Sequence, residues 1–528
     1  MLDAVIVGAG FAGMYMLHRL RGLGLTASVF EAGRGVGGTW YWNRYPGARC
    51  DVESMDYSYS FSDELQQEWH WTERYAAQPE ILKYANHVAD RFDLRRDIRF
   101  EARVTAAVFD EVERVWRVET DRGDRVAARF CIMATGCLSD AQVPDFEGLE
   151  TFEGKWYHTG RWPHEGVDFA GRRVGVIGTG SSAIQSIPLI AKQAAHLYVF
   201  QRTPNYSMPA HNAPLDPEYE RRVKATYADF RHQARESRVG FVVDRSGDSA
   251  LAVSPEERER EYETRWNRGG LGFSAAYTDL LTSRDANDTA ADFFRAKIRS
   301  IVRDPAVADL LCPKDYPIGT KRLCVDTDYY ATFNRDNVTL VDVKKNPIET
   351  ITPKGVRVAG VEYAVDDLVF ATGFDAMTGA LLNIDIRGRG GRTLAAEWAG
   401  GPRTYLGLTV AGFPNLFMIT GPGSPSVLSN MIVSIEQHVD WIAGCVTHLR
   451  ERGVAAIEAT PEAQAAWVQH VNDVGHMTLY PLAPSWYMGA NIPGKPRVFM
   501  PYIGGVGVYR QKCDEVAAKG YEGFALGG

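Results

Sequence analysis

The sequence predicts an α/β fold, because it contains two similar strand–turn–helix–strand patterns. In the first pattern, apolar strands over residues 4–7 and 27–30 flank a glycine turn and a helix. In the second, strands over residues 174–177 and 197–200 do the same. A stretch rich in Arg, Glu and Ala, from residue 218 to about 302, predicts a mostly helical insertion. We therefore expect two Rossmann-like domains, the second carrying the helical insertion.

The first turn reads Gly8-Ala9-Gly10-Phe11-Ala12-Gly13 and lies directly between a strand and a helix. In such a turn the first glycine (Gly8) allows the tight bend, and the second (Gly10) lets the backbone approach a pyrophosphate. The third (Gly13) permits close helix packing. Glu31 ends the following strand, where a carboxylate can accept hydrogen bonds from a ribose. This order of elements predicts a dinucleotide site rather than a structural turn.

The second turn reads Gly178-Thr179-Gly180-Ser181-Ser182-Ala183 in the same context. No acid ends the next strand here; the chain continues with Arg202 and Thr203 instead. An arginine can bind the 2′-phosphate that an acid would repel, so the turn predicts NADP rather than NAD. Lys321 is a candidate for a second positive charge, and the alternative for Arg202 is an ordinary solvated side chain. Two dinucleotide sites in one chain predict FAD that takes electrons from NADPH.

Composition narrows the class of protein further. The 528 residues carry a net charge of -8 with no basic block, which argues against a nucleic-acid partner. The sequence has no apolar run long enough for a membrane span and no signal-peptide pattern at its start, so we expect a cytoplasmic protein. The seven cysteines form no C-x-x-C pair, which disfavours a disulfide reductase and a zinc site.

A longer motif lies just before the second unit and runs from Phe152 to Pro163. It matches the pattern F-x-G-x-x-x-H-x-x-x-W-P through Phe152, Gly154, His158, Trp162 and Pro163. This pattern is typical of type I Baeyer–Villiger monooxygenases, which the chain resembles over nearly its whole length. Further segments resemble that family, and above all its phenylacetone and steroid monooxygenases: residues 37–40, 44–47, 319–322, 421–429 and 485–491.

The resemblance implies that NADPH reduces FAD and that O2 then forms a C4a-peroxyflavin, which inserts one oxygen atom beside a ketone carbonyl to give an ester or lactone. It assigns the active-site cation to Arg322 and its carboxylate partner to Asp51. A guanidinium suits this role because it stays protonated at any working pH. Aryl, cyclic and steroid ketones all remain open as substrates, with sulfoxidation as a side activity.

The resemblance also assigns binding residues. Contacts to FAD are expected from Thr39, Trp40, Trp42, Asp51, Tyr57 and Val104. Contacts to NADP are expected from Gln185, Thr203, Lys321 and Trp486, in addition to the second turn. An apolar ketone pocket is expected from Val52, Cys137, Leu138, Val427, Leu428 and Met431.

His158 is the one histidine of the signature, and its pKa lies near neutrality in the ordinary case. We expect a hinge or packing role rather than acid–base catalysis, because the segment is predicted to join two domains. The FAD domain is expected at 1–139 and 372–528, the NADP domain at 140–371, and the helical subdomain near 210–317. The rival readings are a monooxygenase of soft nitrogen or sulfur and a non-catalytic NADP-binding regulator. Oligomeric state is not predicted.

Overall fold

A computed structural model describes residues 1–527. Along the chain the strands are β1 (Leu2–Val7), β2 (Ala27–Phe30), β3 (Ile98–Arg99), β4 (Val104–Asp110), β5 (Val115–Thr120), β6 (Arg125–Met133), β7 (Lys155–His158), β8 (Arg173–Ile177), β9 (His196–Gln201), β10 (Ser207–Pro209), β11 (Cys324–Asp326), β12 (Val338–Asp342), β13 (Ile348–Thr352), β14 (Gly355–Val358), β15 (Val361–Ala364), β16 (Asp367–Phe370), β17 (Asp385–Arg387), β18 (Leu416–Met418), β19 (Ala456–Ala459) and β20 (Phe524–Gly527).

The helices, numbered in the same way, are α1 (Phe11–Gly22), α2 (Thr39–Trp42), α3 (Asp63–Glu68), α4 (Gln78–Arg91), α5 (Ser181–Gln193), α6 (Pro217–Ala225), α7 (Tyr227–Glu236), α8 (Pro255–Arg268), α9 (Arg284–Ile301), α10 (Pro305–Leu311), α11 (Tyr329–Thr332), α12 (Gly379–Leu382), α13 (Leu394–Glu397), α14 (Met431–Glu451), α15 (Pro461–His476) and α16 (Val506–Ala518). Short 3-10 helices include Thr159–Arg161 and Trp486–Met488.

The first large sheet has eight strands, in the order β17-β4-β5-β6-β1-β2-β3, with β18 paired to β6. β1 lies parallel to both β2 and β6, so the first glycine turn opens at the carboxyl end of a central strand. Central parallel strands are covered on both faces, which explains the continuous apolar run of β1. The strands of this sheet come from residues 2–133 and from residues 385–418.

The second large sheet has five strands, in the order β12-β9-β8-β16-β7. All of its pairs are parallel, and β8 leads into the second glycine turn. Its strands come from residues 155–370, between the two stretches that build the first sheet. The α/β fold with two Rossmann-like sheets that the sequence predicts is therefore confirmed.

The segment between β10 and β11 is helical, as expected, and contains α6 to α10. It is interrupted by a loop over residues 237–254 between α7 and α8. The aromatic side chains of α8 and α9 form a separate core, in which Trp266 packs edge-on against Phe294. No helix within residues 1–527 is long and apolar enough to cross a membrane.

Candidate active site

The first glycine turn is closed by its own chain. Gly8 has a φ of +105°, and a Cβ there would lie 2.6 Å from the carbonyl oxygen of Ala134. A Cβ on Gly13 would lie 1.8 Å from the carbonyl oxygen of Gly8, so only glycine allows helix α1 to begin this close to β1. Gly10 faces Gly38, with its Cβ position 3.3 Å from that Cα. Two glycines face to face leave bare backbone beside the start of α1, which fits a pyrophosphate.

Glu31 lies beside this turn and is buried. Its carboxylate accepts hydrogen bonds from the N–H of Ala9 at 2.7 Å and from the N–H of Gly33 at 2.7 Å. Burial raises the pKa of Glu31, while these two hydrogen bonds oppose the rise. The carboxylate is thus fixed where a ribose bound at the turn would meet it, which fits the expected role.

Four other residues expected to contact FAD lie on neighbouring elements. Thr39, Trp40 and Trp42 form the short helix α2, which follows Gly38 directly. The indole N–H of Trp40 donates to the hydroxyl of Tyr57 at 3.1 Å, so these two predicted contacts are brought together. Val104 is placed differently, inside the core of the first sheet at the start of β4.

The second glycine turn is more open. Gly178 has a φ of +110°, and a Cβ there would lie 2.5 Å from the carbonyl oxygen of Ala371. By contrast, a Cβ on Gly180 would meet no atom within 4 Å. Thr179 donates from its hydroxyl to the carbonyl oxygen of Thr203 at 2.7 Å, which ties the turn to the end of β9. The two serines of this turn contact other segments of the chain. The hydroxyl of Ser181 lies 3.3 Å from the sulfur of Cys324, and the hydroxyl of Ser182 lies 3.1 Å from that of Thr159 in the signature.

Two cations lie beside the second turn. Arg202 is exposed immediately after β9. Lys321 lies over the ring of Tyr316, with its Nζ 4.6 Å from the ring centroid. Burial, and then the positive charge of Arg202, lower the pKa of Lys321 to about 8. Two neighbouring cations whose charges disfavour each other suit a ligand with a doubly charged phosphate.

The loop that follows α2 is hydrogen-bonded to helix α5, which begins at the second glycine turn. Tyr45 donates to the side-chain oxygen of Gln185 at 2.8 Å, and Gln185 donates to the carbonyl oxygen of Arg49 at 3.0 Å. Gly47, with a φ of +82°, has no room for a Cβ, which would lie 2.4 Å from the carbonyl oxygen of Gln185. Gln185 thus joins helix α5 to the loop that carries Asp51.

Arg322 and Asp51 form a bidentate ion pair. The Nη2 of Arg322 donates to Asp51 at 2.6 Å and its Nε donates at 2.9 Å, while its Nη1 donates to the carbonyl oxygen of Val427 at 3.0 Å. Burial alone would lower the pKa of Arg322, but the charge of Asp51 outweighs burial and raises it. The guanidinium is therefore fixed in place and permanently charged, which fits the pairing that the family resemblance implies.

Arg322 of this ion pair lines a cavity of about 190 Å³. Three of the predicted pocket residues line it, namely Val52, Val427 and Leu428. The other three, Cys137, Leu138 and Met431, pack in an adjoining apolar cluster with Val427 and Tyr487, and are not among the residues that line the cavity. The backbone N–H of Val427 donates to the sulfur of Met431 at 3.2 Å, which links Met431 to a residue of the cavity wall.

Most of the remaining wall comes from segments that carry no motif and give no signal in the sequence. The insertion supplies Phe241, Leu271, Phe273, Tyr277 and Leu281, and the C-terminal region supplies Tyr480, Tyr487 and Ile503. The ring of Trp486 packs against that of Tyr487 at a tilt of 44°, with centroids 4.1 Å apart, but Trp486 does not itself line this cavity. Only Trp486 was expected from this loop, although its neighbour Tyr487 faces the pocket.

The signature segment is an edge strand and not a free linker. Residues Lys155–His158 form β7, which pairs in parallel with β16 so that His158 lies opposite Phe370. His158 is buried and accepts the N–H of Gly160 on its Nδ1 at 2.9 Å. Its Nε2 lies 3.3 Å from the hydroxyl of Thr372, at the end of β16. Burial lowers the pKa of His158 to about 4.

The other signature residues are packing residues around this strand. Trp162 is buried between Tyr157 and Phe169, with ring centroids 5.6 Å and 6.2 Å away. Gly154 has no room for a Cβ, which would lie 2.4 Å from the carbonyl oxygen of Asp366. Phe152 covers the core beneath the second sheet, and Pro163 accepts the N–H of Gly166 in the following turn.

Comparisons with known proteins agree with this architecture. Residues 5–252 match the sequence model of a family described as pyridine nucleotide-disulphide oxidoreductase. A Baeyer–Villiger monooxygenase from Pseudooceanicola batsensis is 46% identical over 524 residues, which cover 98% of this chain and 95% of that protein. A phenazine N-monooxygenase from Lysobacter antibioticus is 43% identical over 528 residues, covering 99% of this chain and 97% of that protein.

Solved structures show the same likeness over the whole chain. A steroid monooxygenase bound to NADP is 58% identical, with a TM-score of 0.95 and coverage of 100% of this chain and 99% of the other. The match covers the whole chain and therefore includes both glycine turns, the signature strand and the Arg322–Asp51 pair. The chain belongs to the Baeyer–Villiger monooxygenase family.

Proposed function

We propose that the chain is an FAD- and NADPH-dependent enzyme that inserts one oxygen atom of O2 next to the carbonyl of a ketone, giving an ester or lactone. The observation that carries this proposal is the permanently charged Arg322, fixed by Asp51 at the wall of a largely apolar cavity. An apolar wall suits the carbon skeleton of a ketone, and a fixed cation suits the negative charge that develops on oxygen during the reaction.

The two glycine turns supply the binding sites for the cofactors. FAD fits the first turn, where Glu31 would accept hydrogen bonds from the ribose and the N-terminus of α1 would bind the pyrophosphate. NADP fits the second turn, where Arg202 and Lys321 lie together. The cofactors supply hydride transfer and activation of O2 when they are bound. Solved structures of relatives contain these ligands, including one in complex with FAD and NADP.

The chain's own residues orient and polarise the substrate. Asp51 holds the guanidinium plane of Arg322 through two hydrogen bonds, and Val427 fixes the remaining nitrogen through its carbonyl. Because this geometry is set before a ketone enters, Arg322 stabilises the oxyanion of the tetrahedral adduct without first reorganising. Tyr487, Leu428 and Val52 exclude water around it.

Replacement of Arg322 tests the proposal. We expect Arg322→Ala to lower ester formation by at least about 100-fold, because a fixed electrostatic donor is removed. Reduction of the flavin by NADPH, measured by stopped-flow absorbance, should stay within about threefold, because the nucleotide turns are untouched. Arg322→Lys is the matched control that keeps a charge but loses the bidentate bond. Normal ester turnover by Arg322→Ala would refute the assigned role.

Oxygenation of nitrogen or sulfur is a second candidate activity. Its support is the phenazine N-monooxygenase that is 43% identical to this chain. A panel of ketones, thioethers and aromatic amines, with products identified by mass spectrometry, separates the two. We expect esters as main products and sulfoxides as minor ones; N-oxides as main products would favour the second candidate.

We further propose a division into an FAD domain at 1–139 and 372–528 and an NADP domain at 140–371, with a helical subdomain near 210–317. The strand composition of the two large sheets supports these boundaries.

Aryl, cyclic and steroid ketones are the proposed substrates. A cytoplasmic location and the lack of a nucleic-acid partner stay predictions from composition, and limited proteolysis tests the domain boundaries.

A further inference from the structure

Two arginines lie on the wall of the active-site cavity, in addition to Arg322. Arg238 and Arg245 both line the cavity, and both come from the loop between α7 and α8. The surrounding wall is largely apolar and includes Phe241, Leu271 and Phe273. Both arginine side chains are exposed, so they lie where the cavity opens to solvent and where an anionic ligand would meet them on entry.

Neither arginine has an acidic partner within residues 1–527, whereas Arg322 is paired with Asp51. Arg238 makes one long hydrogen bond, from its Nη2 to the carbonyl oxygen of Ile503 at 3.3 Å. Burial and the like charge of Arg238 both lower the pKa of Arg245. The pair therefore repels itself, and an anion placed between the two guanidinium groups would relieve that repulsion.

The loop that carries these two exposed arginines has its backbone held at several points. The carbonyl of Val239 accepts the N–H of Asn430 at 2.8 Å, and the carbonyl of Arg238 accepts the N–H of Val506 at 3.0 Å. The N–H of Ser246 donates to the carbonyl of Ala275 at 3.2 Å. These bonds join the loop to the helical insertion and to the C-terminal region of the first domain, on both sides of the cavity.

A general basic surface does not explain the pair. The whole chain has a net charge of -8, so two arginines without acidic partners at one cavity differ in sign from the protein's overall charge. The chain neighbour Asp244 does not neutralise Arg245: no ion pair joins them, and the carbonyl of Asp244 accepts a hydrogen bond from Arg265 at 2.7 Å. No acidic side chain within residues 1–527 pairs with either arginine, and a carboxylate can accept from two guanidinium groups at once.

We propose that Arg238 and Arg245 select ketones that carry a carboxylate at the end remote from the carbonyl. The inference rests on the proposed ketone oxygenation and names its substrate class. The carbonyl binds beside Arg322, the carbon chain lies along the apolar wall, and the carboxylate binds between Arg238 and Arg245. Arg238 and Arg245 are specificity residues in this arrangement, and the reacting carbonyl is left to Arg322.

The test uses the holoenzyme and a series of methyl-ketone acids of increasing chain length, each paired with its own methyl ester. The ratio of kcat/KM for acid to ester isolates the contribution of the carboxylate, because the ester reports any general damage to the site. We expect a ratio above one for at least one chain length in the wild type. In the double variant Arg238→Gln, Arg245→Gln the ratio should fall by at least about tenfold, as expected for the loss of charged hydrogen bonds. Added salt should lower the ratio in the wild type.

Two further variants make the result specific. Arg221→Gln, on the exposed face of α6 and away from the cavity, is the matched control and should leave the ratio unchanged. Arg245→Glu should lower the ratio further and favour a ketone that carries an ammonium group over its neutral analogue. A wild-type ratio at or below one for every chain length, or a ratio that the double variant leaves intact, overturns this inference. If neither acids nor esters are oxidised, the proposed ketone oxygenation itself fails.

Discussion

The two glycine turns share a topology but differ in how much of the turn the protein itself fills. Both begin with a glycine at positive φ, Gly8 and Gly178, and in both a Cβ at that position would lie within 2.6 Å of a carbonyl oxygen on the neighbouring strand. This first position is therefore set by the turn and not by the ligand. The later positions differ.

At the second position, Gly10 packs toward Gly38 of a following loop, whereas Gly180 has open space around its Cβ position. At the third position, Gly13 has no room for a side chain, whereas Ala183 occupies the equivalent place and is fully buried. The first turn is thus enclosed by α2 and its loop, as suits a cofactor that stays bound. The second is open, as suits a cosubstrate that enters and leaves.

The charges beside the turns differ in the same direction. Glu31 is buried and already fixed by two backbone N–H groups, so it needs no ligand to settle its position. Arg202 is exposed, and the pKa of its neighbour Lys321 is lowered partly by the Arg202 charge, so this pair gains most when a phosphate arrives. The same type of glycine turn therefore serves two kinds of site: the acid at the first turn is fixed in advance, whereas the cations at the second turn are stabilised by the ligand.

The largest effect is expected from Gly13→Ala. The added Cβ would lie 1.8 Å from the Gly8 carbonyl, so α1 must shift away from β1, at a cost of about 1–3 kcal/mol or more. We expect a large loss of bound FAD, read from the absorbance ratio of flavin to protein, and a lower midpoint of thermal unfolding. Ala183→Gly is the matched control, and it should cost only about 0.5–1 kcal/mol. Equal losses in the two variants would mean that the turns are not built differently.

The next effect concerns the open turn. Arg202→Gln should raise KM for NADPH by about tenfold or more, because a charged hydrogen bond to the 2′-phosphate is lost. KM for NADH, which lacks that phosphate, should change by less than about twofold. Lys321→Gln should shift the same preference in the same direction. Equal changes for both nucleotides, measured by steady-state kinetics, would remove Arg202 from the phosphate site.

Short sequence patterns predicted those parts of the molecule whose structure depends on residues close together in the chain. The turns at Gly8 and Gly178, the strands that precede them and the acid at Glu31 are all readable within about 30 residues of sequence. The cofactor assignments follow from the same short segments. The Arg322–Asp51 pair was found only through the family resemblance, since no spacing rule joins two residues that are 271 positions apart.

Contacts between distant segments were not predictable. Tyr45 and Gln185 meet across 140 positions, and Gly47 is needed for that contact because its Cβ position lies against a carbonyl of helix α5. The cavity wall comes largely from the insertion, where Phe241 and Leu281 carry no motif. The strand at Lys155–His158 was missed because a run this short is identified only by its pairing with β16, more than 200 positions later.

The smallest effect on activity is expected from replacement of His158, at the end of the signature strand β7. Its pKa of about 4 keeps the imidazole neutral between about pH 5.5 and 9, so its removal should delete no ionisation from the pH profile of kcat. General acid–base catalysis contributes about 10²–10⁴-fold, and its loss would also remove one limb of that profile. We expect His158→Asn to keep the profile and lower kcat by less than about tenfold, because the lost contacts are those that hold β7 against Thr372. Thr372→Val removes the partner hydroxyl and should act in the same way. If one limb of the pH profile were lost in His158→Asn but not in Thr372→Val, His158 would instead be a proton carrier. The contact between β7 and Thr372 would then take part in the chemistry and not only in the packing.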